Sequence, residues 1–311
     1  MLPYALIDLH CDTLTRPGEG STLDLPGRHF SLSAIPGGVH WCQCCAIYLP
    51  DTLSQEEAVA YYDQYQRSFH RQMEALADKV LPSRTAADIE SAWEQNKAAA
   101  ILTVENGSAL AGRLERVEAL AQDGVRMMTL TWNGENEIGS GNVTDHGLSE
   151  FGREAIRELE RQGILVDVSH LNDHGFEDLL KVAEKPFAAS HSNARSVCGH
   201  KRNLTDEQIQ EMVKRKCLIG LNYCQDFLRT GDRPAALDDL FRHVERFLEL
   251  GAEHCLALGS DADGTDVPPG LDCPKQFAGL YQYFLDRGLS PAQAEGILWK
   301  NALDFFSRIE K

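Results

Sequence analysis

The chain has 311 residues, of which 43% are hydrophobic and 25% are charged, as in a globular protein with room for one α/β barrel or two smaller domains. Its net charge of −17 argues against nucleic acid or an anionic membrane surface as a partner. No apolar run approaches the ~20 residues of a membrane span, and the opening MLPYALIDLHCD lacks a basic signal-peptide start. We therefore expect a cytoplasmic protein.

The nine cysteines fit that expectation. Their number is odd and most lie in apolar, strand-like runs, which predicts reduced thiols and not a disulfide framework. Cys42 and Cys45 have the C-x-x-C spacing, but on a strand this spacing puts them on opposite faces, which disfavours a redox or zinc role.

Eight apolar segments have strand character, and several are continuous, as expected for parallel strands that are covered on both sides. In chain order they are Ala5–Leu9, His40–Leu49, Ala98–Val104, Val125–Thr131, Ile164–Val168, Pro186–Ser190, Cys217–Asn222 and Cys255–Gly259.

Helical patterns lie between these segments. Capping-box patterns begin at Ser54, for a helix that continues towards Lys79, and at Thr205, and a cap followed by proline begins at Ser290. Further helices are predicted at Ala109–Gln122, Ser149–Gln162, Asp173–Glu184, Ile209–Lys214 and Ala236–Leu250. Eight alternating units predict a (β/α)8 barrel that forms a single domain over residues 1–311.

Chemistry in such a barrel takes place at the carboxyl ends of the strands. The stretch Ile164–Arg195 predicts two parallel strands joined by one helix, and each strand ends in Ser-His, at His170 and His191. Two imidazoles released side by side at one edge suggest a metal site.

Three other strand ends deliver ligands of the same kind. The first leads into His10 and Asp12, the third ends at Glu105 and the eighth at Asp261. Imidazoles and carboxylates suit zinc and similar ions, and two ions about 3.5–4 Å apart commonly share one carboxylate. Glu105 lies between the two groups of ligands and is the natural bridge, which leaves Asp261 to handle the proton of an activated water.

Each of these residues also has a structural explanation. A histidine at a strand end is often only hydrogen-bonded. Glu105 could cap the following helix, and Asp261 could form an Asx-turn in GSDADG. What favours the metal site is that all of these residues converge on one edge of the barrel.

The segments DLHCDT, TVENG, VDVSH, SHSNARSVCGHKRNL and LGSDADG, in this order and spacing, resemble the membrane (renal) dipeptidase family and its bacterial relatives, peptidase family M19. The match spans residues 7 to about 264. The resemblance implies a (β/α)8 barrel with two zinc ions that hydrolyses dipeptides, often with a D-residue at the C-terminal position. Family members are often dimers, so a homodimer is an expectation.

The resemblance also implies a role for each candidate residue. His10 and Asp12 would bind one zinc ion, His170 and His191 the other, and Glu105 would bridge them. Asp261 would guide a bridging hydroxide and protonate the leaving amine. Arg202 would pair with the substrate's free carboxylate, a role that suits a planar guanidinium. From the sequence alone, a solvated basic patch at Lys201-Arg202 is the favoured interpretation.

One position departs from the family pattern. Where the family has a histidine after the fourth strand, this chain has Trp132, in MTLTWNGENEIGSG. Tryptophan donates one N–H but cannot carry positive charge, and losing one oxyanion donor typically costs ~10²–10³ in turnover. Asn133 or Asn136 could substitute, or Trp132 could only pack the barrel rim. The part of the site that contacts the substrate is thus expected to differ from that of the family.

Two alternatives stay open. The first is another metal-dependent barrel hydrolase, acting on a different small amide, a lactone or a phosphoester. The carboxylated lysine that often bridges such metals after strand four has no counterpart here, and a phosphoester would favour more cationic residues. The second is a catalytically weakened relative or a metal-binding scaffold, which the retained ligands and Asp261 disfavour.

Overall fold

In the computed structural model, which describes residues 1–16 and 23–310, parallel strands form the centre of the protein. The described strands are β1 (Ala5–Cys11), β2 (His40–Tyr48), β3 (Val80–Pro82), β4 (Ala98–Glu105), β5 (Met127–Thr129), β6 (Leu165–Asp167), β7 (Ala188–Ala189), β8 (Leu218–Leu221) and β9 (Leu256–Leu258).

Eight of these strands close into a barrel. Each pairs in parallel with its neighbours in the order β2-β1-β9-β8-β7-β6-β5-β4, and β2 also pairs with β4, which closes the ring. The predicted (β/α)8 barrel is confirmed, and each predicted strand overlaps one barrel strand, although β1 and β4 extend beyond their predicted ends at Leu9 and Val104. The extra strand, β3, pairs only with the beginning of β4, from Ala98 to Ala100.

Helices surround the barrel. They are α1 (Gln55–Ala75), α2 (Ala86–Glu94), α3 (Glu115–Asp123), α4 (Glu150–Gln162), α5 (Asp173–Val182), α6 (Asp206–Lys214), α7 (Gln225–Leu228), α8 (Leu237–Glu249), α9 (Pro274–Asp286), α10 (Pro291–Glu295) and α11 (Asn301–Ile309). Short 3₁₀ turns occur at Leu32–Ala34 and Gly107–Leu110, and a π turn at Gly296–Lys300 joins α10 to α11. No helix in the described part of the chain is long and apolar enough to cross a bilayer.

The three predicted helix starts are confirmed. Ser54, Thr205 and Ser290 each accept a hydrogen bond from the third residue of their helix, whose side chain bonds back to the cap backbone. Helix α1 ends at Ala75, before the predicted limit at Lys79, because the chain then turns into β3.

The helix predicted over Ala109–Gln122 is wrong in its first half. Ala111 and Gly112 have φ angles of +49° and +67°, a left-handed conformation that ends a helix. The segment is therefore divided into the 3₁₀ turn at Gly107–Leu110 and helix α3.

Two apolar cores fix the barrel. The inner core contains at least one residue from every barrel strand, such as Ile7 and Ala257, and is completed by α2 and by Phe305 and Phe306 of α11. The larger outer core fills the space between the strands and the remaining helices. All nine cysteines are free thiols, as predicted.

Candidate metal centre

The carboxyl ends of five barrel strands bring the predicted ligands into one buried cluster. His10 lies near the end of β1, Glu105 ends β4, and His170, His191 and Asp261 follow β6, β7 and β9. All are 8% exposed or less except Asp261, which is partly exposed at the bottom of a cleft. A cation within this cluster would be largely shielded from water.

Glu105 stands between two groups of histidines. Its Oε2 atom is 3.3 Å from Nε2 of His10, while its Oε1 atom is 2.8 Å from Nε2 of His170 and 3.8 Å from Nε2 of His191. One carboxylate therefore presents one oxygen to each side, which is the arrangement expected of a bridging ligand.

Hydrogen bonds fix which nitrogen of His170 and His191 carries the proton. The amide oxygen of Asn133 lies 3.1 Å from Nδ1 of His170 and can only accept, so Nδ1 is the protonated atom of the neutral ring. Nδ1 of His191 lies 2.7 Å from Oγ of Ser190, which donates its own proton to Asp167. Both rings thus leave an unprotonated Nε2.

These two Nε2 atoms lie 3.0 Å apart, beside Oε1 of Glu105. Two neutral acceptors cannot hydrogen-bond to each other, so the contact lacks a proton to stabilise it. A cation held by both nitrogens and the carboxylate removes the conflict, and the donor set is the one that zinc prefers.

The other side of the cluster is formed by His10, Asp12 and Asp261, whose ligand atoms lie within 4.8 Å of one another. Nε2 of His10 and Oδ1 of Asp12 are buried and have no hydrogen-bond partner. Buried polar atoms without partners are uncommon. A Cβ atom on Gly264 would collide with both carboxylates, so the glycine keeps this space open.

The charge balance of the cluster also calls for a cation. Burial raises the pKa of Glu105 to about 8 and that of Asp261 to about 6. Burial opposes protonation of His10, but the carboxylates of Glu105 and Asp12 outweigh it and raise the pKa of His10. Burial lowers the pKa values of His170 and His191, which keeps both rings neutral. A divalent ion would relieve the mutual repulsion of these carboxylates.

Two of the cluster residues have a strained backbone. His170 and Asp261 have φ angles of +71° and +59°, a conformation that costs residues other than glycine roughly 1–3 kcal/mol and is concentrated at functional sites. The strain turns both side chains into the cluster at the point where their strands end.

A cleft of 540 Å³ opens onto the cluster. Aromatic side chains form much of its wall, and Trp132 packs edge-on against Tyr48 with ring centroids 5.0 Å apart. Asn133 also lines the cleft. Asn136 is not among the lining residues and instead donates to Asn106 and to the Leu130 carbonyl. Asn136 is therefore a poor substitute for the missing histidine.

Arg202 is not part of a solvated patch, in contrast to that sequence interpretation. It is only 5% exposed, its Nε atom has no hydrogen-bond partner, and its guanidinium lies 5.3 Å from the ring centroid of Phe227, which lines the cleft. One terminal nitrogen contacts the carbonyl of His191 at 3.4 Å. The side chain thus carries unsatisfied donors next to the cluster, while Lys201 is exposed.

Sequence reasoning overlooked several residues that support the cluster. Asn222 donates to Oδ2 of Asp261 at 3.0 Å, and Asp167 accepts hydrogen bonds from Thr129, Ser169 and Ser190. An aspartate inside an apolar strand, as in LVDVSH, is a signal that could have revealed Asp167, because a buried carboxylate needs several donors.

A parallel (β/α)8 barrel with histidines and carboxylates gathered at the carboxyl ends of its strands defines the class of metal-dependent hydrolases. The family model of membrane dipeptidase, peptidase family M19, matches residues 2–311. The chain belongs to this family and is a metal-dependent dipeptidase.

Solved structures have the same fold. A metallo peptidase from Rhodobacter sphaeroides, bound to a phosphinate mimic of the dipeptide L-Ala-D-Ala, superposes with a TM-score of 0.92 at 24% identity, and 99% of each chain is covered. The dipeptidase AC, a metallo peptidase, gives a TM-score of 0.92 at 25% identity over 98% of each chain.

An uncharacterised Klebsiella pneumoniae protein from the pqqA 5′ region is 30% identical over 230 residues, 70% of this chain and 85% of that protein.

Proposed function

We propose that this protein is a two-zinc dipeptidase that cleaves the amide bond of small dipeptides, including those with a C-terminal D-residue. The observation that carries the proposal is the position of Glu105, with one oxygen towards His10 and the other towards His170. His10 and Asp12 would hold one ion, and His170 and His191 the other. Cleavage of dipeptides with a C-terminal D-residue is supported by the phosphinate mimic of L-Ala-D-Ala that is bound to the Rhodobacter relative.

When bound, the two ions supply Lewis-acid activation of water and of the amide carbonyl. The rest of the chemistry belongs to side chains. Asp261 accepts the proton of the attacking water and delivers it to the leaving amine, because burial raises its pKa to about 6, close to neutral pH. Asn222 holds Asp261 in position through the 3.0 Å hydrogen bond to Oδ2.

Arg202 binds the free carboxylate of the dipeptide, and this contact fixes the scissile bond over the cluster. Its buried guanidinium has donors to spare and can form two parallel hydrogen bonds to a carboxylate. Trp132 and Asn133, which line the cleft, contact the substrate. A requirement for the carboxylate would restrict the enzyme to short peptides with a free C-terminus.

The test is hydrolysis of a panel of L-L and L-D dipeptides by zinc-reconstituted protein, with a chelated sample as the control. Chelator-sensitive turnover of at least one dipeptide is the expected result. If protein with bound metal cleaves no dipeptide, the proposed reaction is wrong, and non-peptide amides and lactones become the substrates to assay.

We further propose that residues 1–311 form one domain that acts in the cytoplasm as a homodimer. The barrel uses strands from β1 to β9, so no part of it is complete without both ends of the chain, and nine free thiols suit a reducing compartment. A single calorimetric unfolding transition and sedimentation at the mass of a dimer are the expected results. Two separate transitions, or a monomer at micromolar concentration, would contradict these proposals.

A further inference from the structure

A second groove, of 440 Å³, lies at the opposite end of the barrel from the metal centre. Its lining residues include Arg126, Ile164, Pro186 and Lys216, which lie just before strands β5, β6, β7 and β8. The end of helix α11 forms another wall. The volume falls within the range of small-molecule sites, about 300–1,000 Å³.

Part of the lining of the groove is apolar. It is formed by Ile164, Leu165 and Val166 at the start of β6, with Pro186 and Ile309 beside them. An apolar ligand group that packs against these residues would be removed from water, which favours binding.

The walls of the groove are cationic. Arg126, Lys185, Lys216 and Arg308 line it, and within residues 1–16 and 23–310 none of these four has a carboxylate oxygen within 4.0 Å. These four side chains therefore present positive charge to the groove without an ion-pair partner among the described residues.

Three of these cations donate hydrogen bonds to backbone carbonyls. Nε of Arg126 donates to the Arg84 carbonyl, Nζ of Lys185 to that of Glu160, and Arg308 to that of Lys216. Both terminal nitrogens of Arg126 and Nζ of Lys216 have no hydrogen-bond partner among the described residues. These donors are available to a ligand.

The remaining charged residues in and beside the groove have hydrogen-bond partners in the protein. The oxygens of Glu160 accept hydrogen bonds from the backbone of Glu184 and Lys185. Arg215 is bound to Glu211 and to two carbonyls. The Glu310 carboxylate accepts from the backbone of Ala86, although it still exerts some attraction on Arg126. With five cationic residues and one carboxylate, that of Glu160, among its lining residues, the groove has a positive net charge.

We propose that this basal groove is a second ligand site, distinct from the metal centre, for an organic anion with an apolar body. The chemical class is a medium-length aliphatic or aromatic chain that carries one carboxylate or phosphate head. The head would bind between Arg126 and Lys216, and the chain would lie along Ile164–Val166 and Pro186.

The test is isothermal titration of the zinc-loaded protein with octanoate, with octyl phosphate as the second head group and octanamide as the neutral control. Octanoate or octyl phosphate should bind at least 10-fold more tightly than octanamide. The tighter of the two anions identifies the preferred head. Binding should not compete with a dipeptide substrate, because the two sites lie at opposite ends of the barrel.

Two variants locate the binding. Arg126→Gln removes the guanidinium, and Lys216→Asn removes the ammonium while keeping a residue that tolerates the φ angle of +56° at this position. Each should weaken binding of the anion at least fivefold and leave dipeptide turnover unchanged. Lys214→Asn, at an exposed lysine of α6 that is paired with Glu211, is the matched control and should leave binding unchanged.

Three results would overturn the proposal. They are equal binding of octanamide and the anions, retention of full affinity in both groove variants, or displacement of the anion by a dipeptide. If Arg126→Gln does not fold, Lys216→Asn still tests the proposal, because Lys216 is exposed.

Discussion

Oγ of Ser190 lies 2.7 Å from Nδ1 of His191 and also donates a hydrogen bond to Asp167, so it connects the carboxylate to the ring. Because Asp167 only accepts, Ser190 donates to it and must accept from His191, which leaves Nε2 of the ring free for a metal. Hydrogen bonds of this kind, one step beyond the ligands, set the tautomer of metal-binding histidines.

This relationship predicts that Asp167→Asn weakens metal binding. The amide of an asparagine can donate to Ser190, which would then donate to Nδ1 and move the ring proton to Nε2. We expect a 10- to 100-fold loss of metal affinity, a typical effect for such partners, measured by metal titration and by nitrogen chemical shifts of His191. Thr129→Val is the control, since Thr129 also donates to Asp167 but does not contact His191. Equal metal affinity in Asp167→Asn and wild type would show that Asp167 does not set the tautomer of His191 through Ser190.

Asp261→Asn tests the proton-transfer role separately from metal binding. Asparagine tolerates the φ angle of +59° and can still accept from Asn222, but it cannot carry the proton. Metal content should stay at the wild-type level while kcat falls by about 10²–10⁴, the usual contribution of a general acid–base group.

A second aspartate provides the control for Asp261. Asp263 has a similar φ angle of +64° and lines the same cleft, but its carboxylate is bound by Thr13 and by the His29 backbone. Asp263→Asn should keep most of the activity. Loss of metal in Asp261→Asn would instead identify Asp261 as a ligand.

Arg202 should matter only for substrates with a free carboxylate. Arg202→Met is expected to lower kcat/KM for a dipeptide by about 10- to 150-fold, which corresponds to the ~1.5–3 kcal/mol of a hydrogen bond to a charged group. The same variant should have little effect on the corresponding dipeptide amide. Lys201→Met, at the exposed neighbour, is the control. An equal loss for the dipeptide and its amide would show that Arg202 acts on the cluster and not on the carboxylate.

Trp132 can be tested by restoring the family residue. Trp132→His introduces a side chain that can donate a hydrogen bond and carry charge, so we expect kcat for a small dipeptide such as Ala-Ala to rise by at least about 10-fold, part of the ~10²–10³ effect of one oxyanion donor. Trp132→Phe keeps an aromatic ring against Tyr48 without the N–H. If both variants keep the wild-type rate, Trp132 only packs the rim.

The sequence was sufficient for the barrel and for the identity of the clustered residues. Continuous apolar strands separated by capped helices allow few alternatives to a parallel barrel. Because parallel strands all end at one edge, the predicted ligands had to converge. Strand ends were less predictable: the apolar pattern of Pro186–Ser190 continues beyond the two-residue ladder Ala188–Ala189, since burial extends further than hydrogen bonding.

Other features had no adequate sequence signal. Strand β3 has three residues and ends in proline, so it shows no alternation. The burial of Arg202 depends on Phe227, which is distant in sequence and packs against it only in the folded protein. The basal groove likewise combines α11 with loops before four strands, and only the closed barrel brings them together.

The buried residue His243, close to the metal centre, should make the folding stability of the protein depend on pH. It is fully buried, its Nδ1 accepts from the backbone of Ala194, and its Nε2 donates to the carbonyl of Leu228. Burial lowers its pKa from 6.5 to about 4. The folded state therefore resists protonation more than the unfolded state does, and the stability from the neutral ring is present above pH 6.5 and lost as the pH falls towards 4.

The loss of folding stability caused by protonation of His243 should reach roughly 3 kcal/mol, because each pKa unit corresponds to about 1.4 kcal/mol. His243→Gln, which keeps an acceptor and a donor but does not titrate, should be less stable than wild type at pH 7. The difference between the two free energies of unfolding, measured with urea at several pH values, should shrink as the pH falls from 6.5 to 4. Protonation removes the acceptor for the Ala194 N–H, so the loop that carries Arg202 should also loosen over this range. A constant difference between the two proteins would mean that His243 does not titrate in the folded state.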